Sequence, residues 1–184
     1  MHKDDYVYVY VGRIVKDKGI NELISSFNLI NKKVKNVKLV LVGSFEKHLD
    51  PLKPHVEQII ETNENIITTG FQKDVRPYFA IADIFTFPTY REGFPNVLMQ
   101  SCAMGIPSIT TNINGCNEII TNNINGFIIE PQNEEQLKEK MLYVYENSHI
   151  IKKFKLNCRA HIVANYERKY IWSEIGKEYK QLIN

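Results

Sequence analysis

No apolar run in these 184 residues approaches the roughly 20 that a membrane-spanning helix needs. The opening residues, Met1-His2-Lys3-Asp4-Asp5, lack the apolar core of a signal peptide. Cysteine is scarce and odd in number. Cys102, Cys116 and Cys158 cannot all pair within one chain, and none has a CxxC or Cys/His spacing suited to zinc. They read as reduced thiols, which makes a cytoplasmic protein the expectation. An excess of one charge is also missing: the formal net charge of +2 is too small to argue for a nucleic-acid partner. No GxGxxG follows the first apolar run, which excludes the dinucleotide fingerprint. No acidic DxD pair is placed to carry a metal. The histidines His2, His48, His55, His149 and His161 lie outside the glycine turns discussed below, and none has a Ser or Cys nucleophile at motif spacing. They read as surface or structural. There is no internal repeat and no low-complexity segment.

What the chain has is alternation. The 43% apolar content fits an ordinary globular domain with a full core. Residues 6–11 form a β-branched and aromatic run closed by Gly12, and 37–42 an apolar run closed by Gly43. Further strands are expected at 66–69, ending at Gly70, and at 84–87, 107–111 and 126–129. Between them, Ile20, Leu23, Ile24, Phe27 and Ile30 share one helical face. Helices are also expected at 53–62, 75–81 and 117–121, and one follows the turn at residues 92–96, stopped by Gly105 and Pro107. Asn133, with Gln136 three residues on, can cap a helix whose apolar face is Leu137, Met141, Val144 and Tyr145. Two helices at about 148–184 finish the chain, the last with Ile171, Trp172, Ile175, Tyr179 and Leu182 on one side. Strands that are apolar on both faces and alternate with helices predict an α/β fold, a Rossmann-like doubly wound parallel sheet in a single domain, 1–184. Ligands in such sheets bind beyond the carboxyl ends of the strands, where the strand order reverses.

Three loops fall at such ends. In Gly12-Arg13-Ile14-Val15-Lys16-Asp17-Lys18-Gly19, Arg13 and Lys18 flank a strand–helix loop. A guanidinium fork and an ammonium there suit a diphosphate; the plainer reading is two solvated charges. In Thr89-Tyr90-Arg91-Glu92-Gly93-Phe94-Pro95-Asn96, a carboxylate precedes a helix start whose free N–H groups suit phosphate. Glu92 suits a ligand with hydroxyls, or it simply complements the helix dipole. In Asn114-Gly115-Cys116-Asn117-Glu118, either asparagine can cap the helix, and a ligand role stands beside capping. Residues 149–184 hold eight Lys/Arg against three Glu, read as a solvated face or as one that brushes an anionic membrane.

Taken in order, the pieces Gly12-Arg13-x4-Lys18-Gly19, Leu39-Val40-Leu41-Val42-Gly43, Gly70-Phe71, Ala82-Asp83-Ile84-Phe85 with Pro88, Glu92-Gly93-Phe94-Pro95-Asn96, Gly105-Ile106-Pro107, Gly115-x-x-Glu118 and Asn125-Gly126 resemble the C-terminal domain of the retaining glycosyltransferases of family 4, the glycosyl transferases group 1. Those enzymes have the two-domain GT-B fold, and the likeness covers nearly the whole chain. The resemblance implies a site for a nucleotide-sugar donor that includes Gly12, Gly93 and Phe94. In it Arg13 and Lys18 hold the pyrophosphate, N–H groups near Asn96 and Val97 meet the distal phosphate, backbone around Phe71 receives the base, and Glu92 accepts hydroxyls of the sugar. Arg13, Lys18 and Glu92 are the catalytic candidates, because a cationic clamp stabilises the leaving diphosphate as charge develops. No metal or other cofactor is expected.

Two departures stand out. The family has two glutamates separated by seven residues, and here the second position is Gln100, an amide where the family grips ribose with a carboxylate. The family also carries an N-terminal domain for the glycan or lipid-linked acceptor, and this chain enters at the C-terminal domain's first strand. An isolated half of this kind is expected to be inactive alone, with part of the Trp172 helix face exposed where the missing half packs. Peripheral membrane contact belongs to the full-length protein on this reading, as does a role in bacterial surface-polysaccharide synthesis. The alternatives are a non-catalytic nucleotide-sugar-binding or regulatory module, which Gln100 favours, and a sugar-nucleotide epimerase of similar fold, for which no acid–base residues can be placed.

Overall fold

The computed structural model describes residues 2–183. Met1 and Asn184, the ends of the predicted domain and of its last helix, lie outside the described residues. Six strands, β1 (Tyr6–Val11), β2 (Val37–Val42), β3 (Ile66–Thr68), β4 (Ile84–Phe87), β5 (Ser108–Thr111) and β6 (Gly126–Ile129), form one parallel sheet in the order β3-β2-β1-β4-β5-β6. The order reverses between β1 and β4, which pair through Tyr8 with Ile84 and Val9 with Phe85. A doubly wound sheet leaves its crevice at that reversal. Strands β1, β2, β4 and β5 are buried along nearly their whole length, as both-face coverage demands.

Among the described residues there are eight α-helices: α1 (Ile20–Lys33), α2 (Pro54–Thr62), α3 (Arg76–Ala80), α4 (Asn96–Ala103), α5 (Cys116–Ile119), α6 (Glu134–Glu146), α7 (Ser148–Tyr166) and α8 (Arg168–Ile183). All five predicted apolar residues of α1 are buried. α2 begins one residue later than expected because Pro54 takes the first helical position, where a missing N–H costs nothing. α3 is shorter than the predicted 75–81 by one residue at each end, and β3 and β5 each lose one terminal residue. α4 stops as Gly105 and Pro107 predict. The Gly105 N–H donates to Cys102 O at 2.9 Å and the Ile106 N–H to Ser101 O at 2.9 Å, the paired bonds of a Schellman end.

Capping is where the structure departs most from expectation. α5 runs over Cys116–Ile119 rather than 117–121, and neither Asn114 nor Asn117 caps it. Glu118 reaches back to accept the Gly115 N–H at 3.0 Å, while the Asn117 amide donates to Asn112. Asn133 caps α6 as predicted, accepting from the Gln136 N–H at 2.9 Å. Gln136 does not return the bond; its side chain takes the Glu130 N–H instead.

Two motif residues of the sequence prove structural. Asp83 extends the β1–β4 ladder, donating its N–H to Val7 O and accepting the Val7 N–H on its carboxylate. Asn125 is fully buried; it accepts the Thr121 N–H at 2.7 Å and donates to Ile119 O at 3.1 Å, while its carbonyl receives the Cys158 thiol. It therefore ties α5, β6 and α7 together. α7 docks through Ile151, Phe154 and Cys158, whereas α8 buries no residue. Trp172, Tyr179 and Leu182 are 60%, 64% and 80% exposed, so the predicted apolar stripe of the last helix faces outward.

Asn125→Ala removes two buried hydrogen bonds and leaves their backbone partners unpaired, and a loss of about 2–4 kcal/mol in urea unfolding is expected. A loss below half of the lower figure would show that water or a rearranged turn replaces the amide.

Candidate functional site

The loops predicted to carry the chemistry come together at the reversal. β1 ends at Val11, and the chain runs through Gly12 and Arg13 into a single 3-10 turn, Lys16–Lys18. β4 ends at Phe87, and Pro88 to Pro95 lead into α4. The Lys18 ammonium crosses to the second loop. It donates to Glu92 Oε1 at 2.7 Å and to Arg91 O at 3.1 Å, and stands 3.5 Å from Thr89 Oγ1. Side-chain exposures of 12% for Lys18 and 20% for Glu92 place this ion pair below the surface, where attraction is less screened than in an exposed pair.

Further bonds fix the two loops against one another. Tyr90 donates its N–H to Asp17 O and its hydroxyl to Glu22 at 2.6 Å. Burial and that hydrogen bond push the Tyr90 phenol up, so it stays protonated and keeps donating. Arg91 reaches Asp17 at 3.1 Å. From β5, Thr111 donates to Thr89 O at 2.5 Å and Thr110 to Phe87 O at 3.0 Å. The β5 loop is pressed onto the Glu92 turn as well. A side chain at Gly115 would bring a carbon within 2.3 Å of Gly93 O, so only glycine allows that approach. The same holds where the β2 loop meets the β1 loop, since a Cβ on Gly43 would lie 1.8 Å from Gly12 O.

The other predicted residues take varied positions. Arg13 lies on the same rim, about half exposed, but its guanidinium is engaged by Glu46 at 3.2 Å rather than by the Lys18–Glu92 pair. Glu46 follows β2 and had no motif to mark it. Gly93 and Phe94 are exposed, and Phe94 leans on the Tyr166 ring at 5.5 Å. Tyr166 in turn donates its hydroxyl to Glu118 O at 2.8 Å, so the end of α7 braces the turn. At the start of α4, the Leu98 and Met99 N–H groups go to Pro95 O. Among the described residues nothing accepts the N–H of Asn96 or Val97, and no acidic side chain lies in the first turn. Pro95 stands at the cap of α4. These bare donors face anions naturally.

Phe71 is 76% exposed on the loop after β3. That loop joins the others, because Gly43 donates its N–H to Gly70 O at 2.9 Å. Gln100 is exposed on α4 and borders an open cleft of about 610 Å³ with Lys73, Asp74, Val75, Arg76, Ala103 and Met104. Hydrogen bonds from Arg76 hold the Asp74 carboxyl down at about 2. Neither Phe71 nor Gln100 is hydrogen-bonded to the Lys18–Glu92 pair among the described residues. A second cleft of about 600 Å³, between α2 and β3, contains none of the predicted residues.

All three cysteines are buried and free. Burial pushes Cys116 up to about 11, and a hydrogen bond with Cys102 together with burial raises Cys158 well above the ordinary thiol range. Neither Cys116 nor Cys158 is a nucleophile at neutral pH. Among the described residues no group of three or more His, Cys, Asp or Glu could hold a metal ion.

Comparison with known proteins places this arrangement in a wider set. The family described as "Glycosyl transferases group 1" matches residues 1–161. A Staphylococcus aureus protein named as the capsular polysaccharide biosynthesis glycosyltransferase CapM is 33% identical over 180 residues, covering 98% of this chain and 47% of its own length. The chain thus spans about half the length, or less, of the first curated relatives it matches. The crystal structure of a C-terminal domain of the group 1 glycosyl transferase LpcC from Francisella tularensis superimposes with a TM-score of 0.80 at 26% identity, covering 89% of this chain and 87% of that one. Anabaena HepE, solved in complex with UDP, shares the fold with a TM-score of 0.86 at 20% identity, covering 97% of this chain and 49% of HepE.

A double-mutant cycle of Lys18→Met and Glu92→Gln in urea unfolding is expected to give a coupling of about 1 kcal/mol, above the usual exposed pair. A coupling of zero would mean that the two side chains do not hold each other in solution.

Proposed function

The chain belongs to the glycosyl transferases group 1 family, and from that premise we propose that it is the donor-binding half of a retaining enzyme, taking a nucleotide-sugar and passing the sugar to a glycan or lipid-linked acceptor. The observation that carries the reading is the meeting of Lys18 and Glu92 at 2.7 Å beside the bare N-terminus of α4. Lys18 and the free N–H groups of Asn96 and Val97 supply positive potential for a diphosphate, and Glu92 supplies an acceptor for sugar hydroxyls. Arg13 completes the clamp by exchanging Glu46 for phosphate, an exchange favoured because the Arg13–Glu46 pair is solvent-exposed and weakly held. The base lies against the Phe71 loop, and Gln100 meets the ribose. The HepE structures in complex with UDP and with UDP-glucose support a nucleotide-sugar as the ligand class.

The roles differ in kind. Lys18 sits between the diphosphate and Glu92, so its charge is shared in the ground state and shifts to the phosphate as the glycosidic bond breaks. Glu92 orients the sugar and, through Lys18, keeps the ammonium at the bond. The work needs no metal when cations and helix N–H groups bear the leaving-group charge. Acceptor binding belongs to the other half of the longer protein, which is why the half is inactive alone on this reading. Capsular or related polysaccharide assembly is the proposed setting, supported by the names of CapM and of the teichuronic acid glycosyltransferase TuaC of Bacillus subtilis. The setting is cytoplasmic, with contact at the membrane left to the full-length protein. A non-catalytic binding module is the second reading, and Gln100 in place of a carboxylate favours it.

A thermal-shift panel of UDP, GDP and ADP tests the site. At about ten times Kd one of them is expected to add about 1.4 kcal/mol, a rise of a few degrees. Lys18→Ala abolishes the rise; no shift with any of the three at millimolar concentration would remove the donor site. Gln100→Ala is expected to weaken nucleotide binding several-fold, about the worth of one hydrogen bond. Unchanged affinity in calorimetry would take Gln100 out of the site.

A further inference from the structure

The loop that carries Arg13 is held from below by a buried residue of β1. We propose that Tyr10 is a positioning residue for donor binding, fixing the Arg13 backbone so that its guanidinium stands ready for the diphosphate; the inference rests on the donor-site reading above. Tyr10 is completely buried, and its hydroxyl donates to Arg13 O at 2.7 Å. On either side of Arg13, the Gly12 N–H goes to Val42 O at 3.0 Å and the Ile14 N–H to Ser44 O at 2.8 Å. The Arg13 carbonyl and the Ile14 N–H belong to one peptide unit, so Tyr10 holds its oxygen while Ser44, in the β2 loop, holds its N–H.

The fit around the hydroxyl is close. Gly12 has φ of +153°, and a Cβ there would lie 2.7 Å from the Tyr10 oxygen, so the absence of a side chain at Gly12 is what lets the phenol tip rise under the loop. The ring stacks on Phe87 at 6.0 Å with planes 24° apart. Phe87 is the last residue of β4, five positions before Glu92. One ring therefore backs both halves of the proposed clamp, at the place where the strand order reverses. Burial, then the nearby charges of Glu92 and Asp17, push the phenol far above its ordinary range, so it remains a neutral donor at any working pH. A side chain whose only role was to fill the core needs no hydroxyl here; phenylalanine would serve.

Tyr10→Phe keeps the ring and deletes the bond, leaving Arg13 O without its partner. Calorimetry on this chain, with the nucleoside diphosphate that the thermal panel selects, is expected to show binding weakened about threefold to tenfold. The parent nucleoside, which has no phosphate for Arg13, is expected to bind as before. In an Arg13→Ala background the Tyr10→Phe change is expected to have no further effect, because Tyr10 acts through Arg13. Faster hydrogen exchange of the Ile14 amide in Tyr10→Phe would report the loosened loop without any ligand. The proposal is overturned if Tyr10→Phe binds the diphosphate as the wild type does, if nucleoside and diphosphate lose affinity equally, or if the loss persists undiminished in Arg13→Ala. Those outcomes are distinct from failure of the donor site itself, in which the wild-type chain binds no diphosphate and this proposal falls with it. Should Tyr10→Phe unfold, the Tyr10 hydroxyl proton of the wild type decides: a slowly exchanging resonance that shifts with the diphosphate and not with the nucleoside upholds the proposal, and one that shifts with neither overturns it.

Discussion

Lys18 and Glu92 are 74 positions apart in sequence and in contact in space, and the rest of the site is arranged around that contact. It exists because β1 and β4 are neighbours although two strands intervene in the chain. Their adjacency aims both following loops at one crevice. The threonines of β5 then set the height of the second loop, through carbonyls of Phe87 and Thr89. Asp17 secures the first by taking Arg91 and Tyr90. A charged pair so placed is costly to hold apart from water unless other donors and acceptors complete it. Here Arg91 O and Thr89 share the ammonium, which is how the pair stays satisfied while remaining reachable from one side.

Each cation of the proposed clamp has a carboxylate of its own in this structure: Glu92 for Lys18 and Glu46 for Arg13. The two pairs differ in burial, and the difference sorts their roles. The Arg13–Glu46 pair lies in solvent and gives way readily to a stronger anion. The Lys18–Glu92 pair is largely sheltered and on the proposed reading keeps its geometry while the ligand changes. Each cation is thus balanced within the site, which avoids the self-repulsion of two bare cations on one rim.

Much of this was legible in the sequence. Strands β1, β2, β4 and β6 fall on the residues that their apolar runs mark, because a glycine or a polar turn closes each run. The strand-end loops were legible for the same reason, and with them Arg13, Lys18 and Glu92. Helix caps were harder. Asn114 and Asn117 have the chemistry of a cap, yet Glu118, three residues beyond Gly115, reaches the free N–H first. Glu46 was beyond reach: nothing in its own segment says that it will face Arg13, since the pairing depends on how closely the β2 loop lies on the β1 loop. That approach is decided at Gly43, where the backbone of one loop fills the space a side chain needs. The roles of Asp83 and Asn125 as ladder and turn residues were hidden likewise, because a motif records that a residue recurs and not what it touches.

The bracing of the Phe94 turn by Tyr166 has a mechanical consequence. Tyr166 is the last residue of α7, and the exposed helix α8 begins two positions later. Phe94 and the carbonyl of Glu118 meet at that one aromatic side chain. The tail and the start of α4 therefore share a fulcrum, and a torque applied to the outward-facing helix is delivered within two residues to the turn beside Glu92.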